Sequence, residues 1–72
     1  MRNAPRFRVK PTVQAAVARM NVSQNQLATS CGLTSGFMSQ LLSGQRNAGP
    51  NVRARLLEHL GLSFDDLFEE VR

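Results

Sequence analysis

SQNQLATSCGLTSGFMSQLLSG, residues 23–44, is the stretch of sequence that decides the fold. It begins with a capping box, because Ser23 and Gln26 are spaced so that each side chain can bond the backbone N–H of the other. Gly32 marks the end of a helix, since glycine adopts the left-handed backbone conformation at little cost. The first half of the stretch therefore predicts a helix over about 24–31.

A second helix follows after a turn of only about three residues. Thr34 is a favoured N-cap residue, and Met38, Leu41 and Leu42 recur at the spacing of one apolar helical face. The predicted helix covers about 35–43. Two short helices joined by so tight a turn form a helix–turn–helix unit.

Similar start and stop signals on either side predict three more helices. Pro11 and Pro50 suit the first turn of a helix, and Gly61 suits the end of one. Ser63 is a further N-cap residue, ahead of a segment rich in apolar residues. We therefore expect an all-α, compact five-helix domain over 11–72, preceded by a basic N-terminal extension over 1–10, with helices at about 11–20, 24–31, 35–43, 50–60 and 64–71.

The helix–turn–helix stretch resembles that of the XRE family, which includes the phage Cro and CI-type repressors. Ala28, Gly32, Met38 and Leu41 carry the resemblance through their spacing, A-x3-G-x5-M-x2-L, and it extends over about 9–70. The resemblance implies a lambda-repressor-like DNA-binding domain. It also implies a role in transcription regulation.

The outward side of the second helix carries the expected base contacts. With its apolar residues turned inward, helix 35–43 presents Ser35, Gly36, Ser39 and Gln40 to a duplex. In the resembled repressors, the positions that match Ser35, Gly36 and Gln40 touch bases. Gln40 is the expected main reader, because an amide can bond N6 and N7 of adenine together.

Phosphate contacts are expected around this reading helix. Residues 20–45 contain no charged residue, whereas thirteen of the twenty-six are Asn, Gln, Ser or Thr, and cations flank them on both sides. Neutral hydrogen-bonding groups at the centre and cations at the edges suit a groove of base edges that lies between phosphates. In the resembled repressors, the position of Gln24 sits at a phosphate. The expected phosphate contacts are Gln24, Thr34, Ser43, Arg46, Asn47, Arg6, Arg8 and Lys10.

Charge is distributed unevenly along the chain. Residues 1–57 hold eight of the nine Lys and Arg residues and no Asp or Glu, whereas 58–72 hold all five acidic residues and Arg72. The two parts therefore carry net charges of +8 and −4, within a total of +4. This distribution favours a polyanionic partner for the first part and predicts that the acidic end turns away from it.

Composition argues against other classes of function for a chain of 72 residues. The single cysteine, Cys31, cannot form an intramolecular disulfide, and no Cys/His cluster offers a metal or cofactor site. One His, one Cys and carboxylates confined to 58–72 do not assemble a nucleophile, a base and an orienting group, so we expect no enzyme. The absence of a signal peptide and of a membrane-spanning run predicts a cytoplasmic, nucleoid-associated protein.

The first ten residues fit two structures. Arg6, Arg8 and Lys10 alternate with Phe7 and Val9, so an extended segment has a basic side and an apolar side. Such a segment could be an arm on the DNA backbone or in a groove, or a strand packed on the helices. We favour anchoring by Phe7 and Val9, with the cations presented to phosphate.

The last predicted helix has more apolar residues than one buried stripe needs. Its surplus residues, Phe68 and Val71, predict a homodimer through the C-terminal helix; the alternative is that both cap the core of the monomer. Helix–turn–helix cores also dock proteins, so an interaction module with a protein partner, such as an antitoxin or adaptor, is the alternative function. The function that we expect is sequence-specific binding of double-stranded DNA by a transcriptional repressor.

Overall fold

The computed structural model describes residues 5–71 and combines five helices with three strands, so the expectation of an all-α fold is wrong. Arg2 and Arg72, which contribute to the charges given above, lie outside the described residues. The domain is mixed α/β. Its elements in chain order are β1 (Arg6–Val9), α1 (Val13–Arg19), α2 (Gln24–Ser30), α3 (Ser35–Leu42), β2 (Asn47–Ala48), α4 (Pro50–Leu60), α5 (Phe64–Leu67) and β3 (Phe68–Val71).

The helices α1 to α4 begin and end within two residues of their predicted bounds. The capping box at the start of α2 is confirmed: Ser23 Oγ accepts from Gln26 N–H at 3.0 Å, and Gln26 Oε1 accepts from Ser23 N–H at 2.9 Å. The N-cap of α3 is confirmed too, because Thr34 Oγ1 accepts from Phe37 N–H at 3.1 Å. These local bonds satisfy N–H groups that a helix start otherwise leaves unpaired.

The end of the chain differs from the prediction of a helix over 64–71. The helix α5 ends at Leu67, and the next four residues form β3, which pairs antiparallel with β1. A helix of about two turns makes few internal hydrogen bonds and is marginal in water. Pairing with β1 gives the backbone of β3 hydrogen-bond partners and buries Phe68, which is 3% exposed. The extended conformation of these residues is therefore more stable than a helix.

The strand β1 lies at the centre of a three-stranded antiparallel sheet with the order β2-β1-β3. Phe7 lies opposite Ala48 of β2, and Val9 lies opposite Phe68 of β3. Val9, Ala48 and Phe68 are buried, and the ring of Phe7 packs edge-on against Phe64 with centroids 5.0 Å apart. Of the two structures considered for the N-terminal segment, the protein thus has the packed strand.

The core fixes the orientation of α3. Met38 and Leu41 are fully buried and Leu42 nearly so, and they pack with Leu56 of α4 and Leu67 of α5 in one cluster. Each such side chain contributes about 1.5–3 kcal/mol by leaving water. The opposite side of α3 is therefore held toward solvent. No helix within residues 5–71 combines the length and apolar character needed to cross a membrane.

Candidate nucleic-acid interface

The turn between α2 and α3 is set by Gly32, which has a φ of +71°. Gly32 N–H donates to the carbonyl of Thr29 at 3.1 Å, and Leu33 N–H donates to that of Ala28 at 2.8 Å. This pair of bonds is a Schellman motif, which satisfies the last carbonyls of α2. It lets α3 begin only three residues after Gly32.

The predicted base-contacting residues lie together on the outward side of α3. Ser35, Gly36 and Ser39 are exposed, and Gln40 is half-buried. A Cβ added at Gly36 would meet nothing within 4 Å, so this part of the surface is open. The structure therefore brings these four residues onto one accessible, uncharged surface, which we call the α3 face.

Two residues that are predicted to contact phosphate lie near the start of α3. Gln24, the first residue of α2, donates from Nε2 to the carbonyl of Ser35 at 3.4 Å. Thr34 uses a hydroxyl lone pair for its cap, so its O–H hydrogen is still available to a phosphate oxygen. Both side chains thus border the N-terminal end of the α3 face.

Three more residues that are predicted to contact phosphate lie beyond the C-terminal end of the α3 face. Ser43 Oγ donates to the carbonyl of Gln40 at 3.2 Å, and Asn47 lies exposed in β2 opposite Arg8. Arg46 Nε donates to Gln40 Oε1 at 2.5 Å, and its guanidinium carbon lies 5.5 Å from the centroid of the Phe37 ring. This contact of Arg46 with the expected base reader was not predicted from the sequence.

The basic strand β1 lies beside the acidic end of the chain. Arg6 and Arg8 are exposed and Lys10 is half-buried. Arg8 Nε and Glu69 Oε2 form an ion pair of 2.7 Å across β1 and β3. The separation of charge along the sequence is therefore not a separation in space, because sheet pairing places Glu69 directly against the basic strand.

Two cations of α4 serve the fold itself. Arg53 Nη1 donates to the carbonyl of Ala48 at 2.8 Å, and its guanidinium lies 5.1 Å from the centroid of the Phe7 ring. Arg55 Nη1 donates to the carbonyl of Cys31 at 3.0 Å and so braces the end of α2. Burial raises the pKa of the Cys31 thiol, and the positive charge of Arg55 partly opposes this.

The residues expected to dimerise do not form a helical surface. Phe68 is 3% exposed and belongs to the core, while Val71 is half-buried in β3 opposite Arg6. The surplus apolar face that predicted the homodimer depended on a helix through Val71, and this segment is a strand. Phe68 takes the other role considered for it, in the core of the monomer.

This geometry defines a helix–turn–helix unit on a small mixed α/β domain. The chain is similar to an uncharacterized HTH-type transcriptional regulator, YvzC, of Bacillus subtilis strain 168, with 39% identity over 46 residues. The match covers 64% of this chain and 60% of the relative, so the chain spans less than two thirds of the relative's length. No family model and no solved structure matches the chain.

Proposed function

We propose that this chain is a transcriptional regulator that binds double-stranded DNA by placing α3 in the major groove. The observation that carries this proposal is the α3 face, which is polar, uncharged and accessible while the opposite side of the helix is buried. An α-helix fits the major groove, where hydrogen-bonding side chains meet donor and acceptor patterns that differ between base pairs. The similarity to an HTH-type regulator supports the same function.

Phosphate contacts on both sides of the α3 face would hold the helix in register. Such contacts supply affinity and position but carry no sequence information directly. Glu69 competes with a phosphate for Arg8, because the two side chains form an ion pair in the free protein. The proposed phosphate contacts are Gln24, Thr34, Ser43, Arg46, Asn47, Arg6, Arg8 and Lys10.

Repression is the regulatory outcome that this proposal includes. A protein whose helix occupies the major groove excludes other proteins that must contact the same base pairs. Steric exclusion requires only that the domain stays bound to these base pairs. The resemblance of the helix–turn–helix stretch to the XRE repressors supports this choice.

The test begins with selection of bound duplexes from a random pool. Fluorescence anisotropy then compares the selected site with a scrambled duplex. We expect Gln40→Ala to weaken binding to the selected site by about 1–3 kcal/mol and to leave binding to the scrambled duplex almost unchanged. Failure of the pool to enrich any sequence, or equal weakening of both duplexes by this variant, would contradict the proposal.

His59→Ala is the matched control for Gln40→Ala. His59 is exposed on α4 and lines the same surface depression as Met20 and Ser30, so it lies outside the α3 face. We expect this variant to bind both duplexes as the wild type does. An equal loss of selectivity in both variants would remove the α3 face as the reading surface.

A further inference from the structure

The contact between Gln40 and Arg46 indicates which base α3 prefers. We infer that these two side chains act as one unit that reads guanine and disfavours adenine, an inference that rests on the proposed function. Arg46 Nε donates to Gln40 Oε1 at 2.5 Å, although the two residues are six positions apart in the chain. Arg46 is thereby a specificity-determining residue in addition to a phosphate contact.

The backbone after α3 places Arg46 beside Gln40. Gly44, with a φ of +80°, donates its N–H to the carbonyl of Leu41 at 3.1 Å, and Gln45 N–H donates to that of Gln40 at 2.9 Å. These bonds form a second Schellman motif. Arg46 N–H donates to the same Gln40 carbonyl at 3.3 Å, so the segment folds back along the last turn of α3.

Phe37 holds the guanidinium of Arg46 from a second side. The ring is half-buried on α3, one turn before Gln40, and the guanidinium carbon lies 5.5 Å from its centroid. A cation over an aromatic face is attracted by the ring electrons. Because Arg46 is restrained by both Phe37 and Gln40, less side-chain freedom is lost when it meets DNA.

The chemistry of a guanidinium group fixes the orientation of the Gln40 amide. Arginine has five N–H donors and no acceptor, so the Gln40 atom that faces Arg46 Nε must be the carbonyl oxygen. The amide nitrogen with its two hydrogens is left for an external acceptor. Arg46 keeps the four N–H groups of Nη1 and Nη2. The pair therefore offers mainly donors.

Guanine is the base that matches such a donor surface. In the major groove it presents two acceptors, N7 and O6, whereas adenine presents the acceptor N7 and the donor N6. Binding of adenine by Gln40 needs Oε1 to accept from N6. This oxygen keeps one free lone pair, but its bond to the cationic Arg46 withdraws electron density from it and makes it a poorer acceptor. The structure thus favours guanine over the adenine that the sequence alone suggests for Gln40.

Arg46→Met is the diagnostic variant, because methionine keeps a long unbranched side chain but has no N–H donor for Gln40 or for guanine, whereas lysine could still donate to O6 and N7. Each guanine of the selected site is replaced in turn by adenine, and binding is measured for the wild type, Arg46→Met, Gln40→Ala and the double variant. We expect the wild type to prefer guanine at one position by about tenfold. Both single variants should lose this preference, and the double variant should lose no more than either.

Two results would overturn the inference and leave the proposed function standing. One is an adenine preference at the position where Gln40→Ala acts, and the other is a guanine preference that survives Arg46→Met. Arg46→Met should also bind scrambled DNA more weakly, because it loses a proposed phosphate contact, so the guanine preference is taken as the ratio of the affinities for the guanine and adenine sites. If the pool enriches no sequence at all, the proposed function fails, and this inference fails with it.

A measurement on the free protein tests the pair without DNA. In a nitrogen–proton NMR spectrum, the Nε–H signal of Arg46 should shift when Gln40 is replaced by alanine. Gln45→Ala is the control, because Gln45 is an exposed glutamine next to Arg46 and is not its side-chain partner. An Nε–H signal unchanged by Gln40→Ala would overturn the pairing.

Discussion

The helix–turn–helix unit and the three-stranded sheet are held by different kinds of contact. In the unit, the caps at Ser23 and Thr34 each join groups three residues apart, and the left-handed turn at Gly32 is equally local. In the sheet, Arg8 of β1 lies opposite Glu69 of β3, so the pairing of these strands joins residues 61 positions apart. Local chemistry therefore shapes the surface proposed to read DNA, whereas long-range strand pairing closes the domain.

Removal of the Phe68 ring should have the largest effect, and it tests the sheet. The ring is 3% exposed and lies 5.0 Å from that of Phe64, so Phe68→Ala should cost about 3–5 kcal/mol of the free energy of unfolding. That is a large part of the stability of a small domain. Urea unfolding followed by circular dichroism measures the loss.

Val71→Ala is the control for this change within the same strand. Val71 is only half-buried, so its truncation should cost less than about 1 kcal/mol. Similar small losses in both variants would show that β3 is not part of the cooperative core.

Replacement by alanine of two glycines, one at each end of α3, should change the free energy of unfolding with opposite signs. Gly44 has a φ of +80°, so Gly44→Ala should destabilise the protein by about 1–2 kcal/mol. Gly36 lies in α3 with open space around its missing Cβ, so Gly36→Ala should stabilise by about 0.5 kcal/mol. Urea unfolding of the two variants checks this difference. Effects of the same sign would contradict the geometry at the end of α3.

The contrast between the two regions explains what the sequence could predict. Caps, glycine turns and apolar spacing act within a few residues, so they located α1 to α4 and put the α3 face on one side. The alternation of basic and apolar residues in β1 indicated an extended segment, but it did not indicate which strand pairs with it. Residues 68–71, FEEV, lack an alternating pattern, and only their burial against β1 makes them a strand.

The contact of Arg46 with Gln40 could not be predicted from the sequence either. It depends on the fold-back of the chain at Gly44, and the residues Gly44 to Arg46 read only as a polar loop. Helical spacing predicted the α3 face because every position in a helix has a fixed direction. Side-chain orientation after the helix end has no such rule.

The ion pair between β1 and β3 offers a smaller test that links the sheet to DNA binding. Glu69→Gln should change stability little, because the pair is exposed, with 45% of the Arg8 side chain and 34% of the Glu69 side chain accessible. The variant leaves Arg8 without its carboxylate partner, so Arg8 is free to contact a phosphate. The slope of log K against log salt on a scrambled duplex should therefore become steeper by about one.

Asp65→Asn is the control for Glu69→Gln. It distinguishes the release of Arg8 from the loss of one negative charge. Asp65 is exposed in the first turn of α5 and also loses one negative charge in this variant. We expect a weaker effect on the salt slope than that of Glu69→Gln. Identical slopes for the two variants would show that Arg8 makes no phosphate contact.

The smallest expected effect concerns Cys31, which lies under the turn of the helix–turn–helix unit. Burial raises the pKa of its thiol, so the folded protein keeps the proton at a pH where the unfolded chain loses it. The contribution of Cys31 to stability should therefore be complete below a pH of about 8.5 and decline above it. Unfolding of the wild type and Cys31→Ala at about pH 7 and about pH 10 tests the sign. A constant difference between them would contradict the burial of the thiol.

NMR titration with the selected duplex tests most directly whether α3, and not the sheet, contacts the bases. Backbone amide signals of wild-type protein are followed as DNA is added. We expect the largest shifts at Ser35, Gly36, Ser39 and Gln40, smaller ones in β1 and β3, and the smallest around His59 in α4. Largest shifts in β3, with the α3 amides unchanged, would contradict the assignment of the reading surface.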